Sequence, residues 1–270
     1  KLIESGKVSN SIAMQRIQSM SNGYGQFSYW PESPGLASTW LHAYIAHFFA
    51  QARKKGFQVP EPLYSDLLAT IRDDTNKWIF GQAKSLQDQA YRIYVLALSG
   101  QPDIGAMSRF KDASQSDPLA KWMLAAAMSE SGMLEDAKKL IVAADVDPQS
   151  TFEHDDSFAS RARDLGIMLE VSSKLAPKIA ELTYEKIAKL LKTGKNLNTH
   201  GLSFSLIGIS EFLESQKSQT ITAKYGYSPE KMQDISLVNG IIHTDKKITD
   251  ENEIYFENPS DKKLYVSIFH

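Results

Sequence analysis

The chain has 270 residues, 42% of them hydrophobic and 23% charged, so its composition is that of a globular protein and excludes a disordered one. Its 30 basic and 32 acidic residues leave a net charge of −2, which argues against a surface for nucleic acid or an anionic membrane. Cysteine is absent, which excludes disulfides, thiolate metal sites, a cysteine nucleophile and a thioester within the chain.

Apolar residues recur at helical spacing from about Ser11 to Glu214, and their interruptions are short. The pattern predicts about ten helices. An early one carries a wide apolar face from Trp40 to Ala52, and Gly56 ends it. Short breaks between helices predict helical hairpins arranged in two layers.

One helical hairpin is predicted with particular clarity in the middle of the chain. Asp117 as N-cap and Pro118 at the first helical position begin a helix that stops at Gly132, and a second helix over 134–143 follows at once. A later helix, 202–213, is apolar on nearly every side, so we expect it to lie between two neighbours. The inner helices are expected to bury Tyr44, Phe48, Val95, Met123 and Phe204.

The pattern changes after about residue 216. Residues 254–256 and 264–269 are rich in β-branched and aromatic residues, and the turn sequence 258–261 between them predicts a β-hairpin. We therefore predict a helical domain over 1–217 and a β-rich segment over 218–270. Since about 50 residues seldom form a stable sheet domain, the segment is expected to belong to a larger, adjoining β-sandwich-like domain.

Several strings resemble one known superfamily. Residues 38–44, Ser-Thr-Trp-Leu-His-Ala-Tyr, resemble the Ser-Thr-Trp-Leu-Thr-Ala-Tyr helix start of thioester domains in alpha-2-macroglobulins and complement proteins. The flanking strings 14–30 and 52–60, and later strings at 91–106, 119–137, 161–164 and 198–203, resemble the bacterial members in the same order. The family-motif residues are Trp30, Ser38, Thr39, Trp40, Leu41 and Tyr44, with structural roles.

The resemblance implies a mainly α fold, an incomplete αα-toroid of helical hairpins lacking its N-terminal helices, followed by a short β-strand segment of a second domain. It implies that the chain is a fragment of a bacterial protease trap, an endopeptidase inhibitor of the periplasm or cell envelope. The implied partners are target proteases and other domains of the parent chain, with membrane anchoring only through segments outside the fragment. The family's Cys-x-Glu-Gln thioester motif is expected upstream of Lys1.

Three clusters of titratable residues are candidate sites of catalysis or metal binding. His42 and His47 lack the i, i+4 spacing that suits shared metal ligation on a helix, so packing or a surface position is favoured. His154-Asp155-Asp156 is typical of a helix cap. For Asp73-Asp74, a solvent-exposed helix cap is likewise favoured, and a pair of catalytic acids is the alternative. We therefore predict a non-enzyme with no catalytic, cofactor-binding or metal-binding residues.

Two other classes of protein remain as alternatives. Ser99-Gly100 and Ser131-Gly132 recur at nearly the ~34-residue period of tetratricopeptide repeats, as in a protein-binding scaffold. An αα-toroid carbohydrate-active enzyme would instead use carboxylates as acids. In such an enzyme, a cluster of aromatic residues near the start of the chain would stack on sugar. The family resemblance favours instead that they cover a helix end and position a neighbouring domain. They are Tyr24, Phe27, Tyr29, Trp30 and Trp40.

Overall fold

A computed structural model describes residues 2–31, 38–79, 86–142, 144, 158–194, 197–216, 221–237, 253–259 and 266. The predicted cap 154–156 and the predicted strand 264–269, apart from Val266, lie outside the described residues. The chain divides into two compact units, residues 1–208 and residues 209–270. The predicted domain limits at 217 and 218 stay a prediction.

The described residues contain ten α-helices, which confirms the prediction of a mainly α chain. They are α1 (Leu2–Ser19), α2 (Thr39–Lys54), α3 (Glu61–Asn76), α4 (Leu86–Leu98), α5 (Ile104–Phe110), α6 (Pro118–Glu130), α7 (Leu134–Ile141), α8 (Arg161–Leu175), α9 (Pro177–Thr193) and α10 (Thr199–Gln216). Among these helices, none combines the length and the apolar character needed to cross a membrane.

Side-chain caps begin several helices, and the cap at Asp117 confirms the prediction from the sequence. The Oγ of Ser38 accepts a hydrogen bond from the amide of Leu41 at 3.5 Å, which starts α2. Asp117 accepts from the amide of Ala120 at 2.9 Å, with proline at the first position of α6. These bonds satisfy amides that have no partner inside the helix. The predicted hairpin of α6 and α7 is confirmed, and residue 143 lies outside the described part of the chain.

Alternate helices of the first unit differ in how deeply they are buried. α2, α4, α6 and α8 pack against one another in succession, and α3, α5, α7 and α9 each pack against one or two of these. In α8, 13 of 15 residues are buried, whereas α9 buries only Ala180, Thr183 and Ile187 of its 17. A helix buried on all sides lies in an interior, and one with a single apolar stripe covers it. The two groups form an inner row and an outer row.

The core residues follow most of the predictions. Val95, Met123 and Phe204 are fully buried, as expected, but Tyr44 and Phe48 are only half-buried. The helix predicted over 202–213 contacts both α8 and α2, although the side chain of Leu206 is 63% exposed. Three small residues of α10, Gly201, Ser205 and Gly208, lie against α8 or the residue that caps it.

The backbones of α8 and α10 approach unusually closely. A Cβ atom added at Gly166 would lie 2.4 Å from the carbonyl carbon of Phe204, and one at Gly208 would lie 2.4 Å from the carbonyl oxygen of Gly166. Ser205 donates a hydrogen bond to the carbonyl of Ala162 at 3.1 Å across the same contact. Glycine is required at this crossing because no side chain fits between the two backbones.

Strands form two small antiparallel sheets. β1 (Ser21–Gly23) pairs with β2 (Gln26–Phe27) in a tight hairpin. In the second unit, β3 (Ile221–Gly226) lies between β4 (Met232–Leu237) and β5 (Tyr255–Glu257). β5 confirms the strand predicted over 254–256, shifted by one residue, but its observed partner is β3. The hairpin of β3 and β4 was not predicted.

Candidate functional site

A buried polar cluster lies among the inner helices, and we call it the polar centre. It consists of His47 and Gln51 on α2, Tyr91 and Tyr94 on α4, and Glu170 on α8. One carboxylate oxygen, Oε1 of Glu170, accepts hydrogen bonds from Tyr94 at 2.8 Å, His47 at 3.1 Å and Gln51 at 3.3 Å. The polar centre thereby joins three inner helices at one atom.

Glu170 is ionised in the polar centre despite its burial. Burial alone would raise the pKa of Glu170, but the charge and hydrogen bond of His47, the hydrogen bond of Tyr94 and the charge of Lys174 together lower it below its usual value. An ionised carboxylate only accepts hydrogen bonds, so Nε2 of His47 carries the proton it donates. Burial, reinforced by the negative charge of Glu170, raises the pKa of Tyr91 well above its usual value.

The side chains of the polar centre are arranged in the sequence of a proton relay, but they are buried from solvent. Nδ1 of His47 lies 3.0 Å from the Tyr91 hydroxyl, and Nε2 lies 3.1 Å from Glu170, so a hydroxyl, a base and an orienting carboxylate are in line. Tyr91, His47 and Glu170 are each only 1% exposed. A substrate cannot reach the hydroxyl, and the arrangement serves to hold helices together.

A second group, which we call the Trp40 group, lies at the start of α2. The indole Nε1 of Trp40 donates to Nε2 of His200 at 2.9 Å, and the guanidinium carbon of Arg163 lies 4.8 Å from the centre of the indole ring. Arg163 is completely buried and also donates to Asp164 and to Gln87, each at 2.7 Å. The cation over an aromatic face and the indole hydrogen bond thus link α2, α8 and α10 at this crossing.

His200 is neutral in the Trp40 group. Burial, together with the positive charge of Arg163, lowers the pKa of His200 to about 4. The same conclusion follows from geometry, because Nε2 accepts the proton of Trp40 and cannot carry its own. Burial similarly lowers the pKa of His42, whose Nε2 accepts from the backbone amide of Phe27 at 3.1 Å.

Five of the six family-motif residues lie together at the start of α2. Ser38 is its N-cap, Thr39 donates to Asp88 at 2.9 Å, and Leu41 is buried. Trp40 belongs to the Trp40 group, and the half-buried ring of Tyr44 lies 4.7 Å from that of His200. The remaining motif residue, Trp30, is 74% exposed. Their proposed structural roles stay a prediction.

The other candidate residues are dispersed. Asp73 is exposed and forms an ion pair with Lys77 one helical turn away, while His42 and His47 face different partners. Within the described ranges, no three His, Asp or Glu side chains are grouped as metal ligands. The predicted aromatic cluster is divided, because Phe27 and Trp40 are buried whereas Tyr24 is 93% exposed.

Sequence reasoning did not identify Glu170 or Arg163 as central residues. Glu170 is the one charged residue in the otherwise apolar run 165–171, which is a recognisable sign of a buried, partnered carboxylate. Arg163 and His200 lie inside strings that carry the family resemblance, but nothing in those strings indicates that they meet at Trp40.

Comparison of the sequence with protein-family models and with curated proteins gives no significant match. Comparison of the structure with solved structures gives significant matches. Native Escherichia coli alpha-2-macroglobulin, from domain MG7 to the C-terminus, matches 96% of the chain at 19% identity with a TM-score of 0.64. Salmonella alpha-2-macroglobulin reacted with methylamine matches 94% at 18% identity and a TM-score of 0.65. The Escherichia coli protein activated by porcine elastase matches 96% at 20% identity and a TM-score of 0.66.

The chain corresponds to only part of each of these proteins. It spans 42%, 16% and 24% of the three matched chains, respectively. Both units contribute to the match, because the aligned part includes nearly the whole chain. The resemblance found in the sequence is thus confirmed at the level of the fold: this chain has the fold of a segment of the bacterial alpha-2-macroglobulins.

Proposed function

We propose that the chain is the helical, thioester-type domain and the adjoining strands of a bacterial alpha-2-macroglobulin-like protease trap. The observation that carries the proposal is a structural match over at least 94% of the chain to alpha-2-macroglobulins of two bacteria. One of these structures is of a protein activated by elastase, which supports proteases as the targets. By the family resemblance, the parent protein acts in the periplasm or cell envelope.

We further propose that the helices form part of an αα-toroid. In support, the inner helices α2, α4, α6 and α8 contact one another in succession, and α3, α5, α7 and α9 cover them. α10 touches α8 through Gly208 and touches α2 through the ring of Phe204, which lies 5.5 Å from that of Tyr44. A row of inner helices whose last member returns to the first is the arrangement expected of a toroid.

The role of the chain in the trap is conformational and not catalytic. Its best relay, Tyr91-His47-Glu170, is buried, and the candidate acid Asp73 is exposed and paired with Lys77. The chain lacks the cysteine that a thioester needs. We propose that it supplies a rigid helical cup against which other domains of the parent chain rearrange. Neither the repeat-scaffold alternative nor the carbohydrate-enzyme alternative has a supporting observation.

Protease capture by the parent protein tests the proposal. The polypeptide that contains this chain is incubated with elastase, and protease that co-elutes with it is assayed on a small peptide and on a large protein substrate. Retained elastase should hydrolyse the peptide but not the protein, because a trapped enzyme keeps its active site and excludes large substrates. Elastase with a blocked active site should not be retained. Equal activity on both substrates, or retention of the blocked enzyme, would contradict the proposal.

A further inference from the structure

The two oxygens of the Glu170 carboxylate differ sharply in their surroundings. Oε1 accepts three hydrogen bonds, from Tyr94, His47 and Gln51. Oε2 is buried, and no group in the described part of the chain donates a hydrogen bond to it. A buried acceptor left without a donor costs about 1–3 kcal/mol, and more when it is charged. An ionised oxygen in this position therefore requires a donor.

A small cavity lies beside Glu170, between α6 and α8. It offers about 10 Å³ to the centre of a water molecule, which is close to the minimum for one water. Its wall is partly polar: Ser129 and Glu130 contribute from α6, Lys174 from α8 and Tyr94 from α4. A cavity of this size and polarity suits one water molecule and excludes larger ligands.

We propose that this cavity is a binding site for a single ordered water molecule that donates a hydrogen bond to Oε2 of Glu170. Water supplies the missing donor, and the hydroxyl of Ser129 and the ammonium of Lys174 are polar groups of the wall that can hold it in place. Internal waters typically make about three hydrogen bonds to buried polar groups, which this wall can provide.

The bound water extends the polar centre to a fourth inner helix. Direct hydrogen bonds join α2, α4 and α8 at Glu170, whereas Glu130 of α6 pairs with the neighbouring Lys174 of α8 and not with Glu170 itself. Through Ser129, the water ties α6 to the same carboxylate. The site therefore has a structural role in the interior of the helical unit.

Crystallography of the chain at a resolution that orders internal water tests the site directly. We expect density for one water within about 3.2 Å of Oε2 and of a polar atom of Ser129 or Lys174. A direct hydrogen bond from a protein donor to Oε2, or an empty cavity, would overturn the proposal.

Water relaxation dispersion provides a second readout in solution, because it counts long-lived internal waters. Ala126, 6% exposed, lines the cavity, and Ala126→Val should displace the water and lower the count by one. The matched control is Ala50→Val on α2, where the alanine is 8% exposed and does not line the cavity; its count should be unchanged. An equal count in wild type and Ala126→Val, with both proteins folded, would contradict the proposal.

Discussion

Glu170 concentrates the polar interactions of the inner helices on one atom. His47, Gln51 and Tyr94 are all buried or half-buried, and each directs a donor to Oε1. Removal of the carboxylate would leave these three donors without their acceptor in a largely buried region. The energetic consequence is larger than that of losing a surface ion pair.

Glu170→Ala should lower the free energy of unfolding by about 3–5 kcal/mol, because it breaks a buried, hydrogen-bonded pair by removing one partner. Urea unfolding followed by circular dichroism measures the change. Glu135→Ala is the control, since Glu135 pairs with Lys138 on the surface, and it should change stability little. Similar losses in the two variants would show that the polar centre contributes nothing beyond an exposed pair.

The Trp40 group should make stability depend on pH through His200. The pKa of His200 is about 4 in the folded chain, against an ordinary value of 6.5. Between these values the unfolded chain binds more protons than the folded chain, so stability falls as the pH falls. From pH 7 to pH 5, His200 should account for a loss of roughly 2 kcal/mol.

His200→Gln tests this dependence, because glutamine still offers an acceptor to Trp40 but does not titrate. The variant should lose less stability than wild type between pH 7 and pH 5 in urea unfolding. Glu170 stays ionised in this window, since its lowered pKa removes its contribution only at more acidic pH. Identical pH profiles for variant and wild type would refute the assignment to His200.

At the residue scale, features set by neighbouring residues were predictable from the sequence, whereas contacts between residues far apart in the sequence were not. Ser38 and Asp117 are caps whose function depends on the next three residues, so the sequence alone indicates them. The contact of His47 with Glu170 joins positions 123 residues apart. No periodicity encodes such a separation, although an isolated glutamate in an apolar helix indicates that a partner exists.

Among the elements, the crossing of α8 and α10 depends on the absence of side chains. Gly166→Ala places a Cβ 2.4 Å from backbone atoms of Phe204, so the helices must separate. Overpacking of this kind should lower the unfolding free energy by about 3 kcal/mol, measured by urea titration.

The same substitution at Gly105 of α5 is the matched control for Gly166→Ala. There the added Cβ meets only side-chain atoms of Arg109 and Asp103, at 3.2 and 3.4 Å, and these can move. Gly105→Ala should leave stability unchanged or raise it by up to about 1 kcal/mol, because alanine favours a helix. Equal destabilisation at both glycines would argue against a close crossing.

Helices were easier to predict than strands for physical reasons. An amphipathic helix repeats its pattern over several turns, as α2 does, and capping residues mark the start of a helix, as Asp117 does for α6. β3 alternates Ile221, Ala223 and Tyr225 with polar residues, but a six-residue alternation beside Gly226 and Pro229 is a weak pattern. The close crossing at Gly166 was not predictable either, since a glycine in a helix does not identify what approaches it.

For the whole molecule, the fold class followed from periodicity, and the choice among helical architectures followed from family resemblance. Hairpins of helices can continue into an open superhelix or return to a closed ring, and both give the same local pattern. The order of resembling strings over nearly the full chain favoured the alpha-2-macroglobulin fold, which the structural match confirms.

The chain should not react with methylamine, because it contains no cysteine from which a thioester could form. Its intact mass should be unchanged after incubation with the amine. Salmonella alpha-2-macroglobulin, which has been crystallised after reaction with methylamine, is the positive control. A mass increase in this chain would indicate an unexpected electrophile and contradict a purely structural role.

The convergence of donors on Oε1 of Glu170 also fixes the alignment of the helices along their axes. Apolar side chains can exchange neighbours when a helix slides by one turn, because contacts between them have no direction. A displacement of α2 by one turn, about 5.4 Å, would instead carry His47 out of reach of Glu170 and leave the buried carboxylate with fewer hydrogen-bond donors. The polar centre therefore favours one alignment of these helices over alternatives that have similar apolar contacts. Misfolded arrangements that bury Glu170 without its hydrogen-bond donors are destabilised.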